Sequence, residues 1–288
     1  MCLGSGSSGN CYYLGTDRYA ILIDAGIAGR TIRSMIKKNG LSNIPVRALL
    51  ITHSHADHIR GASMVSSLMG CPVYATEEVH KGMDNNYGQK IKISTANRRY
   101  VNIDEQNDIP LTGFRVTPFI VPHDSKDNVG YYIEWEDGGE HERICLVTDA
   151  GLLTPDIRQY VSRAEHLIVE SNHDVDMLMK GPYPYFLKVR VRGEGGHLSN
   201  GECAQLLRET YHEGVLHVFL CHLSDDNNTP QKAYDAASKG LVEAGAQVGY
   251  GGVTLVVLQR TEDAQKADAL QVYELSKAAE ARQLTIDF

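Results

Sequence analysis

The chain has 288 residues, 42% of them hydrophobic, and a formal net charge of −8. The apolar share excludes a disordered chain, and no apolar run reaches the roughly 18 residues of a membrane span. The acidic balance excludes nucleic-acid binding by overall charge, so such a partner would need a local cationic patch.

The N-terminus lacks a basic region followed by an apolar stretch, so no secretory signal is read and a cytoplasmic location is expected. Ser5-Gly6-Ser7-Ser8-Gly9-Asn10 reads as a turn running into a strand at Cys11–Leu14. A second strand, Tyr19–Asp24, closes on Asp-Ala-Gly. Arg30–Asn39 has helical periodicity with Gly40 fitting its C-cap. Val46–Thr52 is continuously apolar, as in a strand buried on both faces. Further strands are predicted at Val73–Ala75, Phe114–Val121, Gly130–Trp135, Ile144–Thr148, His166–Glu170 and Val215–Cys221. Helices are predicted at Thr154–Ser162, Asn200–Glu213, Pro230–Ala244 and, polar and Ala-rich, Glu262–Arg282. Mixed elements without a long linker predict one layered α/β hydrolase domain over residues 1–260, followed by a C-terminal helix and tail over 261–288. The six cysteines (Cys2, Cys11, Cys71, Cys145, Cys203 and Cys221) form no CxxC pair and no regular spacing, so buried free thiols are expected.

The strongest chemical signal is His53-Ser54-His55-Ala56-Asp57-His58, just after the buried strand. Three imidazoles and a carboxylate so close together cannot all face one side of a regular element. A loop at a strand end can splay them around metal ions, and imidazole suits zinc, manganese or iron. Other chemistry-bearing residues also close apolar strands: Asp24, His123, Asp149 and His222.

HxHxDH followed by these residues in this order resembles the metallo-β-lactamase superfamily over most of the chain. The resemblance implies an α/β fold, a four-layer αββα sandwich. It implies two divalent ions, one held by His53, His55 and His123, the other by Asp57, His58 and His222, with Asp149 between them and Asp24 supporting the loop. Zn or Mn is expected, with Fe open. Aspartate rather than cysteine at 149, and histidine at 58, point away from β-lactam cleavage; histidine at 55 points away from the diiron oxygen-reducing branch. Glyoxalase-type thioesterases keep the same seven ligands.

Glu170 and His197 resemble the Glu–His pair of the tRNA 3′-processing branch, which would place them, with Asp57 and Asp149, among the catalytic residues. The alternative is that Glu170 merely ends a strand and His197 caps a helix near Asn200. The N-terminal Ser-Gly motif, Glu170–Asp174, Gly195–Asn200 and His222–Asn228 resemble the YycJ-like (WalJ, VicX) subfamily. That implies a DNA exonuclease acting from 5′ ends through a hydroxide shared by the two ions. Asp226 stands where many members have Glu, and the N-terminus is a few residues short of theirs. An RNA-processing or small-molecule phosphodiesterase, and a non-catalytic metal-binding regulatory protein, are the competing readings.

Lys180, Lys188, Arg190 and Arg192, interleaved with Tyr183, Tyr185 and Phe186, could meet phosphates and bases, or be a solvated segment with its aromatics in the core. Lys90, Lys92, Arg98 and Arg99 read as a solvated face. Gln283, Leu284, Ile286 and Phe288 resemble peptides that dock on the bacterial sliding clamp.

Overall fold

The computed structural model describes residues 1–86, 93–266, 270 and 272–275. In chain order the first half holds β1 (Cys2–Gly4), β2 (Cys11–Gly15), β3 (Ala20–Ile23), α1 (Gly29–Lys38), β4 (Val46–Leu50), α2 (Ala56–Ile59), α3 (Ala62–Met69), β5 (Val73–Ala75), α4 (Glu77–Asn85) and β6 (Arg98–Tyr100). Its strands form one sheet in the order β1-β2-β3-β4-β5-β6, parallel from β3 onward. The second half holds β7 (Asn107–Asp108), β8 (Phe114–Ile120), β9 (Val129–Asp137), β10 (Glu140–Val147), α5 (Pro155–Val161), β11 (His166–Glu170), α6 (Val175–Lys180), α7 (Tyr185–Arg192), α8 (Asn200–Thr210), β12 (His217–Cys221), α9 (Pro230–Glu243), β13 (Thr254–Val257) and α10 (Thr261–Lys266). Its sheet runs β13-β12-β11-β10-β9-β8-β7, with β10 to β13 parallel.

The apolar residues sort into three layers of contact. Ile21, Ile23, Leu50, Tyr131, Ile144, Leu146 and Phe219 fill the space between the sheets. Leu22, Leu49, Ile32 and Val65 pack the first sheet against α1 and α3. Leu167, Val169, Leu206, Ala233 and Leu241 pack the second against α8 and α9. The architecture is therefore the expected αββα sandwich. Strands buried on both faces read as unbroken apolar runs for this reason. All six cysteines are buried and free. Among the described residues no helix is long and apolar enough to cross a membrane.

Local signals explain several helix starts. Thr154 and Ser199 cap α5 and α8 through their side chains, and Ser199 with Glu202 closes a capping box. The helix predicted over Glu262–Arg282 needs correction. Helix α10 covers only Thr261–Lys266, and residues 270 and 272–275 are not helical. Leu270 instead packs into the first-sheet core, its backbone N–H donating to Asn39 Oδ1 at 2.9 Å, and the Tyr273 ring meets Phe219 at 4.9 Å. Apolar residues spaced for core contact outweigh the helical propensity of the surrounding alanines. The rest of that prediction, and Gln283, Leu284, Ile286 and Phe288, lie outside the described residues, as do Lys90 and Lys92.

Candidate metal centre

Five strand ends of the two sheets converge at one edge of the sandwich. His53 follows β4, His123 follows β8, Asp149 follows β10, Glu170 ends β11 and His222 follows β12. Val129 N–H donates to Thr52 O at 3.0 Å and stitches the two sheets together at this edge. Asp24, Asp149 and His222 all have positive φ (59°, 54° and 55°). A non-glycine residue there is strained by about 1–3 kcal/mol and persists when its surroundings over-determine it.

Hydrogen bonds fix the tautomers of four histidines. Thr52 Oγ1 gives its single proton to Asp24 at 2.9 Å, so it accepts from His53 Nδ1 at 3.1 Å. His58 Nδ1 donates to Asp24 Oδ2 at 2.7 Å, His123 Nδ1 to Gly196 O at 3.0 Å, and His222 Nδ1 to Glu170 Oε1 at 2.7 Å. Each ring therefore presents a bare Nε2 lone pair. Those of His53 and His222 are buried and have no hydrogen-bond partner. An unpaired buried acceptor costs about 1–3 kcal/mol, and metal ligation removes that cost.

The donor atoms form overlapping groups, with all atoms of a group within 4.8 Å of one another: His53 with His55 and His123; Asp57 with His58 and His222; His53 with His58 and Asp149. Asp149 stands between the first two groups, its Oδ2 3.2 Å from His58 Nε2 and its Oδ1 3.8 Å from His123 Nε2. All seven sequence-predicted ligands are thus brought together. Two imidazole-rich groups and a shared carboxylate suit borderline divalent ions such as zinc.

The electrostatics agree. Burial opposes charge on His222, yet Asp149, Asp57 and Glu170 together push its pKa up to about 10. Burial is likewise outweighed at His58, which Asp149, Asp24 and Asp57 hold well above the ordinary histidine range. The carboxylates around these rings therefore favour positive charge at the site.

Glu170 is fully buried and saturated. Besides His222 it accepts from His197 Nδ1 at 2.9 Å, Ala150 N at 2.9 Å and Leu198 N at 3.0 Å. Burial would raise its pKa, but His197 and His222 bring it down to about 2. It touches the two histidines with a carboxylate that has no exposed surface. The His197 side chain is 20% exposed, with Nδ1 held by Glu170. It caps no helix, since Ser199 does that.

Some contributors carried no metal-ligand signal in the sequence. Asp124 Oδ1 lies 3.2 Å from His123 Nε2 and 3.6 Å from His55 Nε2. Asn10 Nδ2 donates to His58 Nε2 at 3.0 Å, and Ser5 Oγ accepts from His222 N at 2.7 Å, so the N-terminal loop braces both sheets' ligands. The Ser171, Asn200 and Asn228 side chains join behind them, Ser171 Oγ donating to Asn200 Oδ1 at 2.8 Å and Asn200 Nδ2 to Asn228 Oδ1 at 2.9 Å. The Ser-Gly repeat and the Asn-rich motifs were their sequence signal, with no role attached.

This fold and donor set define a metal-dependent hydrolase of the metallo-β-lactamase fold, and the family described as β-lactamase superfamily domain matches residues 19–222. Solved structures agree on the fold: YhfI of Bacillus subtilis (TM-score 0.62, 15% identity, 90% of this chain and 95% of that one) and zinc-bound PqqB of Methylobacterium extorquens (0.62, 20%, 90% and 97%). Exodeoxyribonuclease YycJ of Bacillus anthracis is 32% identical over 86% of this chain and 90% of its own length. Exodeoxyribonuclease WalJ of Streptococcus pneumoniae is 32% identical over 86% and 89%. The chain belongs to this YycJ-like family of the superfamily.

Proposed function

We propose that the chain is a two-metal DNA exonuclease. The observation that carries the two-metal reading is the place of Asp149 between the histidine groups, its carboxylate 3.2 Å from His58 Nε2 and 3.8 Å from His123 Nε2. The names of the YycJ and WalJ relatives support DNA as substrate. The full set of seven ligands speaks against a regulatory protein that has lost catalysis.

In this reading His53, His55 and His123 hold one ion, Asp57, His58 and His222 the other, and Asp149 both. Bound ions supply Lewis-acid stabilisation of a phosphodiester and activation of water. The chain's own groups orient and transfer protons. Asp24 fixes His58 and, through Thr52, His53. Glu170 is a positioning residue that aligns His222 and His197. His197, its Nδ1–H donating to the Glu170 carboxylate, would act as an imidazolium whose Nε2–H gives its proton to the leaving oxygen. A cytoplasmic location accords with that substrate.

The test is purified protein with Mn²⁺ or Zn²⁺ on end-labelled duplex DNA, single-stranded DNA and RNA. Progressive shortening of DNA from one end, abolished by Asp149→Ala in a folded protein, is the expected result. Activity within about tenfold of wild type in that variant would refute the bridging role, since a shared ligand sets both ions. Cleavage of RNA alone would move the assignment to RNA processing. Clamp docking by Gln283, Leu284, Ile286 and Phe288 rests on the sequence pattern. A labelled 281–288 peptide that shows no saturable binding to the clamp up to roughly millimolar, about 4 kcal/mol of docking, would remove it.

A further inference from the structure

Helix α7, with the sequence Tyr-Phe-Leu-Lys-Val-Arg-Val-Arg, buries none of its eight residues. Tyr185 is 76% exposed, Phe186 72% and Val189 54%. A short helix gains its stability in water from packing an apolar face, so a face left bare is a surface with a use elsewhere. Helical spacing puts Tyr185, Val189 and Arg192 on one stripe, with Phe186 and Arg190 on the next.

The same segment carries positive charge in an acidic chain. Residues 175–193 hold Lys180, Lys188, Arg190 and Arg192 against the single carboxylate of Asp176, while the whole chain is at −8. Lys188 Nζ donates to the carbonyls of Met179 and Gly181, both at 2.8 Å, and Arg192 Nη1 to Met179 Sδ at 3.6 Å. Neither has a carboxylate partner among the described residues. The face is also continuous with the metal centre. Arg190 Nη2 lies 2.6 Å from Asp124 Oδ2, and Asp124 Oδ1 lies 3.2 Å from His123 Nε2. Beyond α7 the chain turns through Gly195 and Gly196 into His197, whose N–H donates to Val191 O at 2.9 Å.

We propose that the outer face of α7 holds single-stranded DNA beside the metal centre, with bases stacked on Tyr185 and Phe186 and phosphates met by Lys188 and Arg192. The proposal rests on the nuclease reading. A second copy of this chain would set like charges against each other. A duplex would keep its bases stacked internally and leave the rings bare. Single-stranded DNA supplies both the flat apolar faces and the negative charge that this surface lacks.

The test uses the metal-loaded full chain and a fluorescent oligodeoxythymidylate with cleavage-resistant phosphorothioate linkages. Tyr185→Ala and Phe186→Ala should each weaken binding about tenfold, because stacking contributes on that scale per base. Tyr185→Phe should keep wild-type affinity. Arg192→Glu should weaken binding and flatten its salt dependence. Circular dichroism checks that each variant is folded, which the exposure of all three side chains favours. Wild-type affinity in both alanine variants, or no single-strand binding by the wild type, overturns the proposal. So does a wild-type dimer that those variants dissociate without change in DNA affinity. Hydrolysis of the ordinary oligonucleotide by the same wild-type preparation tests the nuclease reading separately. Loss of binding in the alanine variants together with an inactive wild type would retain the surface and refute the nuclease.

Discussion

Glu170 accepts from two histidines and two backbone amides at once, so its removal reaches the metal through other residues. In Glu170→Gln one acceptor oxygen becomes an NH₂ donor that must face either His222 Nδ1–H and His197 Nδ1–H or the N–H groups of Ala150 and Leu198. Second-layer changes of this kind weaken metal binding roughly 10- to 100-fold. A competition titration with a chelating dye should show that loss, and unchanged affinity would mean Glu170 only closes its strand. His197 donates to that carboxylate and is not among the seven residues proposed as ligands. His197→Ala is expected to keep full metal content while the rate falls by about 10²–10⁴, the range for a lost general acid. Loss of metal in this variant would reassign His197 as a ligand.

The edge that gathers the candidate ligands is built from element ends, and its tolerances are those of turns. The Asp-Ala-Gly after β3 passes directly under the loop that carries His53 to His58. A Cβ on Gly26 would lie 1.6 Å from Asp57 O, a backbone atom that cannot rotate away. Asn10 N already donates to that same oxygen at 2.7 Å, so the loop is held on both sides. Gly26→Ala should therefore destabilise the fold by about 3 kcal/mol or more, as overpacking against backbone does. Thermal melts with and without metal would show it as a lower Tm in both conditions. A wild-type Tm would mean the loop has room that the structure does not show.

Across the whole molecule, the second sheet has chemistry at its other end as well. At the N-terminal ends of β11 and β12, His166 Nε2 donates to Glu142 Oε2 at 2.8 Å and its Nδ1 lies 3.0 Å from His217 Nδ1. Burial, then the neighbouring His166, bring the His217 pKa down to about 4. The unfolded chain takes up a proton near pH 6.5 and the folded one only near 4. The contribution of neutral His217 is therefore fully present above about pH 6.5 and is lost as the pH falls toward 4. Its size is up to about 3 kcal/mol. Replacing His217 with Asn should flatten the fall of Tm between pH 6.5 and 4 relative to wild type, measured in a chelator so that metal release does not contribute. Parallel curves for the two proteins would rule out His217 as the titrating group.

Local patterns in the chain marked the main buried strands and the histidines and aspartates that close them, while the αββα class and the seven-ligand set followed from the family resemblance those residues carry. Apolar runs with a histidine or aspartate at their ends say where strands stop and what stands there, because both properties are carried by neighbouring residues. The short strands β1, β6, β7 and β13 and the small helices α3, α4, α6 and α7 were not legible in this way. Each is held by partners distant in sequence, as β13 is by β12. The tail helix failed for the same reason, its alanines promising a helix where Leu270 and Tyr273 find the core. Tautomers, the reach of Asp124 and Asn10, and the bareness of α7 were decided only by tertiary structure. Those properties are distances between strand ends dozens to hundreds of residues apart, and a sequence states order, while only packing states distance.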